Sequence, residues 1–425
     1  MMTVMLRLGK LTIDAPFYQA GLAGYSDAAM RLIARRHGAP YCITEAMLDH
    51  FLVNGGKGLK AAELDDEDHP ICGQLMGSHP HDIAEAAKIL VRLGYDVVDV
   101  NLACPVKKIK KKARGGHLLS APDEAIAILK SVMQAVGSDV PVTCKLRRAY
   151  DDSPEAAANF YRVFEAAMDL GLSGATVHSR TVEQKYQGPG YRPFLRDLAE
   201  RYRLGAKAEG GRRKAEGPSD RCNMGATHDP SAFRHPPSHF TLGGSGDIWT
   251  ARDIFHMLDD TGVDWVSVAR GCIGNPWLFT QARRLMAARR SEERPPEAAM
   301  QRAPLSPQPS DLSPSPTSPL TPPPDPLAPP TLHQQRDVLL EHLDLSIRLH
   351  GEHLASRMMR KFGIRFARHH PEHDAVKADF IRCGNLDDWR RVIANHYAHD
   401  GPGVDVDAAL PDEARAQRDD ATCEP

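Results

Sequence analysis

Eight short runs rich in β-branched and aromatic residues recur along this chain before residue 270, most of them followed by a stretch with helical apolar spacing. The composition predicts strands near Phe17–Ala20, Tyr41–Glu45, Ile71–Met76, Val97–Asn101, Val140–Arg147, Gly174–His178, Phe240–Gly243 and Trp265–Ala269. Amphipathic helices are expected between them, for example over Asp82–Leu93, Pro122–Val136 and Pro154–Leu170. The last two begin with proline in the first turn behind a cap-like serine, Ser120 or Ser153. Eight alternations of strand and helix fit a closed parallel (β/α)8 TIM barrel better than an open sheet. A doubly wound sheet of six or seven strands is the competing architecture.

Two stretches break the rhythm. Residues 204–239 turn to Gly, Arg, Lys, Pro and His without apolar periodicity, which reads as a disordered insertion at the bottom of the barrel. Between Pro295 and Pro330 the chain carries fourteen of its 33 prolines, too many for a helix or interior strand, and little with which to build a core. The expected division is therefore a barrel over 1–290, a linker over 291–331, a helical domain over 332–399 and a frayed tail over 400–425. In the helical part Leu339, Leu340, Leu343, Ile347 and Leu354 form one apolar stripe, and Met358, Met359, Phe362 and Phe366 a second.

With 42% hydrophobic residues a sizeable core can be buried, yet no apolar run approaches the roughly 20 residues of a membrane span. The first ten residues do not read as a secretion signal, so a soluble cytoplasmic protein with no membrane partner is expected. Eight cysteines are scattered without C-x-x-C pairs or zinc spacing, which predicts neither disulfides nor a metal site. The net charge of −2 gives no global sign of a nucleic-acid partner, so any such contact must rest on local basic patches. Oligomeric state is not legible.

In a barrel of this kind, function collects at the C-terminal ends of the strands. The fourth predicted strand runs into Asn101-Leu102-Ala103-Cys104-Pro105 and then a loop with six cations within eight residues, Lys107, Lys108, Lys110, Lys111, Lys112 and Arg114. That charge is expected to favour the Cys104 thiolate or to hold an anionic substrate, and RNA phosphates would meet such a loop. The fifth strand ends Cys144-Lys145-Leu146-Arg147 and the sixth Val177-His178-Ser179-Arg180-Thr181. A lone rim lysine or histidine is more often solvated than functional; their coincidence at successive strand ends is more specific. Glycine-rich turns after the seventh and eighth strands, Gly243-Gly244-Ser245-Gly246-Asp247 and Ala269-Arg270-Gly271, stand where this fold binds phosphate groups.

Together with Ala20-Gly21-Leu22-Ala23-Gly24-Tyr25-Ser26-Asp27, these segments resemble the tRNA-dihydrouridine synthases of bacterial type. The resemblance covers about Leu11 to Gln281 apart from the insertion, and resumes more weakly at Met358-Met359-Arg360-Lys361. It implies FMN, reduced by NADPH or NADH, and reduction of a uridine in tRNA. Carried over by position, Gly21, Leu22 and Ala23 would lie along the isoalloxazine. Gln74 and Lys145 would bond its polar edge, with Asn101 and His178 near ring and substrate. Ser245, Gly246, Asp247, Ala269 and Arg270 would hold the phosphate end, and Cys104 would be the general acid. RNA contacts would come from Lys107, Lys108, Lys110, Lys111, Arg114, Arg180, Arg360 and Lys361. The last two belong to a set with Arg357, Arg365 and Arg368 that could form one positive helix face. The chain departs from the family pattern at Gly21, where proline is usual, at Ser179 and Ala269, where glycine is usual, and at Ser245, where asparagine is usual.

Three other functions compete: an FMN barrel acting on a small dihydroorotate- or enoate-like molecule, a dihydrouridine synthase acting on rRNA, and an RNA-binding module without catalysis. A small substrate needs neither a lysine-dense loop nor an appended helical domain. The retained Cys104, Lys145 and His178 argue against a catalytically empty module.

Overall fold

The computed structural model describes residues 6–106, 114–137, 139–203, 240–292 and 325–405. The 204–239 segment, most of the proline-rich stretch and the loop lysines Lys107, Lys108, Lys110, Lys111 and Lys112 lie outside the described residues. Nine parallel strands follow a short antiparallel hairpin of β1 (Leu6–Leu8) and β2 (Leu11–Ile13). They are β3 (Phe17–Gln19), β4 (Cys42–Ile43), β5 (Met47–Leu48), β6 (Ile71–Met76), β7 (Val97–Leu102), β8 (Val142–Arg147), β9 (Gly174–His178), β10 (Thr241–Ser245) and β11 (Trp265–Val268). The order β4-β3-β11-β10-β9-β8-β7-β6 closes on itself through the β4–β6 pairing, giving an eight-stranded (β/α)8 barrel; β5 adds only to the end of β6. The doubly wound alternative is excluded by that closure.

All eight predicted strands are present within a few residues of their expected bounds. The hairpin and β5 were not foreseen, because two or three residues show no alternation. The hairpin has a clear packing role. Leu6, Leu8 and Ile13 pack with Tyr18, Tyr41, Cys72, Val97 and Trp265 into a small apolar cluster at the N-terminal base of the barrel, separate from the main core. The main core lies between sheet and helices, where strand residues such as Val98, Val100, Cys144, Leu146, Ala175 and Val177 meet the helical apolar faces. Because side chains alternate along a strand, their neighbours Asp99, Asn101, Thr143, Lys145, Thr176 and His178 share the opposite face, toward the barrel interior. That alternation places polar chemistry inside the barrel.

Caps account for several helix starts. Ser153 accepts from Ala156 N at 3.2 Å to open helix Pro154–Asp169, and Thr250 and Asp253 form a capping box for Ala251–Thr261. Ser120 does not cap as expected: the N-cap of Pro122–Val136 is Ala121, and the Ser120 hydroxyl donates back to His117 O at 2.7 Å.

The helical part comprises Leu332–His350, Glu352–Met358, Arg360–Phe366, His373–Arg382 and Leu386–His396. It seats on the barrel through Tyr25 edge-on to Phe362 (5.7 Å) and Trp277 against Phe366 (5.5 Å). Polar ties join the same faces: His350 Nε2 to Asp27 Oδ2 at 2.9 Å, Arg36 to Glu341, and Lys361 Nζ donating to Gly24 O. The helices therefore grip the loop that follows β3. Two members of the expected apolar stripe are not in the core, since Leu340 and Leu354 are exposed. The boundaries also shift. Helix Trp277–Glu292 runs past residue 290, Gln281 donates to Leu327 O at 3.2 Å, and Val404 N donates to His369 O at 2.8 Å. Residues 325–331 and 400–405 thus pack against the fold rather than forming linker and frayed tail.

Candidate active site

The C-terminal rim gathers the side chains that the strand ends supply. Lys145 on β8 and His178 on β9 are half-buried, and Cys104 follows the end of β7. Two devices fix the cysteine. Asn101 Oδ1 accepts from Ala103 N and Cys104 N, both at 3.0 Å, and Arg147 Nε donates to Ala103 O at 2.8 Å. The same guanidinium reaches Thr181 O (2.8 Å) and Lys185 O (2.7 Å), tying the loop after β7 to the loop after β9.

Electrostatics at the rim are set by burial first. Burial raises the Cys104 thiol above its ordinary 9.0, against smaller opposite effects of the Val106 backbone, Arg147 and Lys145. Burial thus works against the thiolate expected at Cys104 and favours the thiol. Burial likewise lowers Lys145, while Asp99 pulls it back up. His178 is pushed well below 6.5 by burial and then by Arg147, Arg180, Lys145 and Arg270. Its Nδ1 accepts from Arg180 N at 3.1 Å, so the neutral ring carries its proton on Nε2.

Gln74 and Asn101, expected as direct partners of cofactor and substrate, are turned onto protein groups. Gln74 Nε2 donates to Asp99 Oδ2 at 2.9 Å, and Gln74 Oε1 accepts from Asn101 Nδ2 at 2.7 Å. Asp99 was not singled out from the sequence; the available signal was one charge inside the apolar run Val97-Val98-Asp99-Val100.

Next to β9, the turn after β10 carries Gly246 at φ 120° and Asp247 at φ 54°. Ser245 is buried at the end of β10, and Ala269 and Arg270 are half-buried past β11. The Asp247 carboxylate is not free to face a ligand, because it accepts from Arg180 Nη2 and from Gly190 N, both at 2.6 Å. Arg270 is stacked over Trp249 at 4.6 Å and over Tyr186 at 5.4 Å, and Tyr186 also faces Arg147 at 5.7 Å. Gly21, half-buried, has no room for a Cβ against Thr44 O, so the glycine that replaces the family's proline is required by packing here. Leu22 N donates to Ser26 Oγ at 2.7 Å, which shapes the turn, and Ala23 is exposed.

Most expected RNA-contacting side chains within the described residues are placed elsewhere. Arg180 is fully buried beneath the rim, bound to Gly188 O and Asp247. Arg114 is buried against Asp49 (3.4 Å) and Ser78 (3.5 Å). Lys361 lies between Gly24 O and the Tyr25 ring, inside the contact between helices and barrel. Arg365 is buried while Arg357 is exposed, so the basic residues do not form one face. Arg360 is half-buried, its Nε on Arg357 O at 3.3 Å. No group of His, Cys, Asp and Glu able to hold a metal occurs among the described residues, and none of their helices is long and apolar enough to cross a membrane.

The parallel (β/α)8 barrel brings a thiol, a lysine and a neutral histidine to one mouth, with turns after its last two strands placed for a phosphate; such a barrel hosts many reactions, and family membership selects among them. The dihydrouridine synthase family model matches residues 18–207 and 238–305, more than half of the sequence, and the chain belongs to that family. Among relatives, the tRNA-dihydrouridine synthase B of Xanthomonas campestris pv. campestris is 27% identical over 376 residues, covering 88% of this chain and 89% of the relative. A probable tRNA-dihydrouridine synthase of Rhizobium leguminosarum bv. phaseoli is 30% identical over 262 residues, 61% of this chain and 68% of that one. The tRNA-dihydrouridine synthase B of Shewanella oneidensis is 25% identical over 366 residues, 86% and 88% of the two chains.

Proposed function

We propose that this protein reduces the C5=C6 bond of specific uridines in tRNA, with Cys104 as the proton donor. The observation that carries the reading is a half-buried thiol clamped at a barrel mouth that also holds Lys145 and His178, in a chain of this family.

FMN fits the residues present. Gly21, Leu22 and Ala23 offer a backbone edge, Lys145 a cation at the mouth, and Ser245, Gly246, Ala269 and Arg270 a cradle for a phosphate. Bound there and reduced by NADPH or NADH, it supplies hydride to C6 of the uracil. The protein's residues do the rest. Addition at C6 moves the π electrons of C5=C6 toward C4–O4, and the Cys104 S–H gives its proton to C5. A thiol held protonated by burial is suited to that role, and the thiolate left behind is stabilised by Lys145 and Arg147 until solvent returns the proton. The neutral His178 offers an Nε2–H donor without adding charge. Burial lowers Lys145 and Asp99 opposes that, and the cation would balance negative charge at the cofactor or the enolate oxygen.

The uracil has to leave its stack to reach this mouth. Lys107, Lys108, Lys110 and Lys111 are assigned to tRNA phosphates on sequence grounds, and Arg360 is the remaining candidate in the helical part, the folded unit after the proline-rich stretch. Such an enzyme would work in the cytoplasm, with its substrate.

Nucleoside mass spectrometry of tRNA and of rRNA from cells with and without the gene tests the proposal. Dihydrouridine should disappear from tRNA alone. Loss from rRNA would reassign the substrate, and no change in either pool, in cells lacking a second synthase, would leave a small-molecule reductase.

A further inference from the structure

Beneath the mouth, a continuous chain of side-chain hydrogen bonds runs from the barrel interior to the backbone of the candidate acid. Thr143 Oγ1 donates to Asp99 Oδ1 at 2.7 Å, and Gln74 Nε2 donates to Asp99 Oδ2 at 2.9 Å. Asn101 Nδ2 donates to Gln74 Oε1 at 2.7 Å, and Asn101 Oδ1 accepts from Ala103 N and Cys104 N at 3.0 Å each. Asp99, Gln74 and Thr143 are all buried, at 3%, 2% and 4% exposure, so water does not compete for these partners.

The chain has a direction, fixed at one end by a carboxylate and at the other by two backbone N–H groups. A primary amide is a donor at one end and an acceptor at the other, so Gln74 and Asn101 could each be flipped and still pair with one another. Burial raises Asp99, while the hydrogen bonds from Thr143 and Gln74 and the charge of Lys145 favour its ionised form. An ionised carboxylate only accepts. Placed at the bottom, it forces Gln74 to present its NH2 downward and its carbonyl upward, which in turn forces Asn101 to present its carbonyl to the two backbone N–H groups. If both amides flipped, the Asn101 NH2 would face the N–H groups of Ala103 and Cys104, donor against donor. Register supports a second effect: Asp99 is paired with Thr143, and Asn101 two residues on with Lys145, so the carboxylate lies one layer below the lysine. Burial lowers Lys145 and Asp99 opposes it.

We propose that Asp99 is a positioning residue for this reaction: its carboxylate helps orient the Gln74–Asn101 pair so that Cys104 is held in place from below, and it sets a negative charge one layer below Lys145. The inference rests on the proposed uridine reduction for its catalytic meaning, while its geometric content does not.

Asp99→Asn keeps the shape and removes the charge and the acceptor-only bias. Gln74→Met breaks the chain and leaves the carboxylate. Three readouts on the FMN-loaded protein separate them: FMN affinity by fluorescence, the pH profile of flavin reduction by NADPH, and the rate of Cys104 alkylation by iodoacetamide from peptide mass spectrometry. With FMN affinity kept within about threefold, Asp99→Asn should change the Cys104 alkylation rate severalfold and move the alkaline limb of flavin reduction to lower pH. Dihydrouridine formation should fall at least roughly tenfold, as for a misplaced reacting group. Gln74→Met should reproduce the alkylation change and the loss of product without moving the alkaline limb. The double variant should be no worse than Asp99→Asn alone, because both act along one chain. Losses that multiply, or wild-type Cys104 alkylation in both variants, would overturn the proposal. Should Asp99→Asn not fold, the Gln74→Met alkylation rate decides the orienting role by itself. Alkylation needs no RNA, so a wild-type protein that forms no dihydrouridine would sink the functional reading and leave this inference to be judged on Cys104.

Discussion

Replacing Arg147 by methionine should cost both stability and activity, because this side chain ties together two loops of the candidate site. Its guanidinium donates to Ala103 O, Thr181 O and Lys185 O at 2.8, 2.8 and 2.7 Å. Ala103 and Thr181 are buried, so in the variant those two carbonyls gain no water in place of the lost donor. Hydrogen bonds from a charged donor contribute about 1.5–3 kcal/mol each, so two of them give a loss of about 3–6 kcal/mol. At roughly 2 °C per kcal/mol for a large domain, Tm should drop by roughly 6–12 °C. Burial lowers the Arg147 pKa to about 10, which leaves it charged at neutral pH, so the full effect is present there. Arg147→Lys keeps a cation but reaches fewer carbonyls, and its loss should be intermediate. In the kinetics, Ala103 adjoins Cys104, so uridine reduction should suffer more than reduction of the bound flavin by NADPH. Calorimetry and the two half-reactions, measured on both variants, check this. A methionine variant that melts within 2 °C of the parent and alkylates Cys104 at the parent rate would refute the clamp, whatever its turnover.

Cys104→Ala should retain FMN and lose about 10²- to 10⁴-fold in dihydrouridine formation, the usual share of a general acid; a colourless variant would count against the assignment. Cys104 alkylation in the parent should be slow at neutral pH and accelerate only above pH 9, because burial raises the thiol. Lys145→Met should move that rise to still higher pH, since a cation favouring the thiolate is gone; a shift the other way would contradict the charge ordering. Lys361→Glu would bring a carboxylate beside Asp27 and Glu45, so it should lower Tm, whereas Arg360→Glu should leave Tm unchanged and weaken tRNA in a gel-shift titration. Burial lowers His342 to about 4 in the fold, below its ordinary 6.5, so the unfolded chain binds the extra proton between those values. Stability should therefore fall as pH drops from 6.5 toward 4, by about 3 kcal/mol from this residue, and His342→Leu should flatten that part of a pH–Tm curve.

Where the sequence was informative, periodicity or chain order carried the signal. Alternation of apolar runs located all eight barrel strands, and reading the residues just past each run located Cys104, Lys145, His178 and Arg270 at one mouth. Orientation was not legible. Arg180 and Arg114 stand in basic loop segments, yet each turns inward to a carboxylate, Asp247 and Asp49, that lies far away in sequence. Lys361 looked like part of a basic helix face because its partners, Gly24 O and the Tyr25 ring, come from the first barrel loop. The charge on the Cys104 loop pointed to a thiolate, whereas partial burial of the sulfur favours the thiol. In each case the deciding quantity is a long-range contact or a burial, and neither leaves a mark in local composition.

The docking of the helical part onto the loop after β3 links those observations to function. Gly21, Leu22 and Ala23, the backbone assigned to the cofactor's ring, are followed by Gly24, Tyr25 and Asp27, and each of these three is held by a residue of the helices. Gly24 N also donates to Glu45 Oε2 at 2.9 Å, so the loop is gripped from the barrel side as well. A cofactor-facing turn braced by a second unit has less freedom to lose when its ligand arrives. The same bracing explains why Lys361 is turned into the contact between helices and barrel, and it gives the helices a part in holding the mouth's first wall. Deleting residues 325–425 should therefore weaken FMN binding as well as RNA binding. Were FMN affinity unchanged in a folded, truncated barrel, the helices would be an RNA module alone, and the contacts at Gly24, Tyr25 and Asp27 would be incidental to the site.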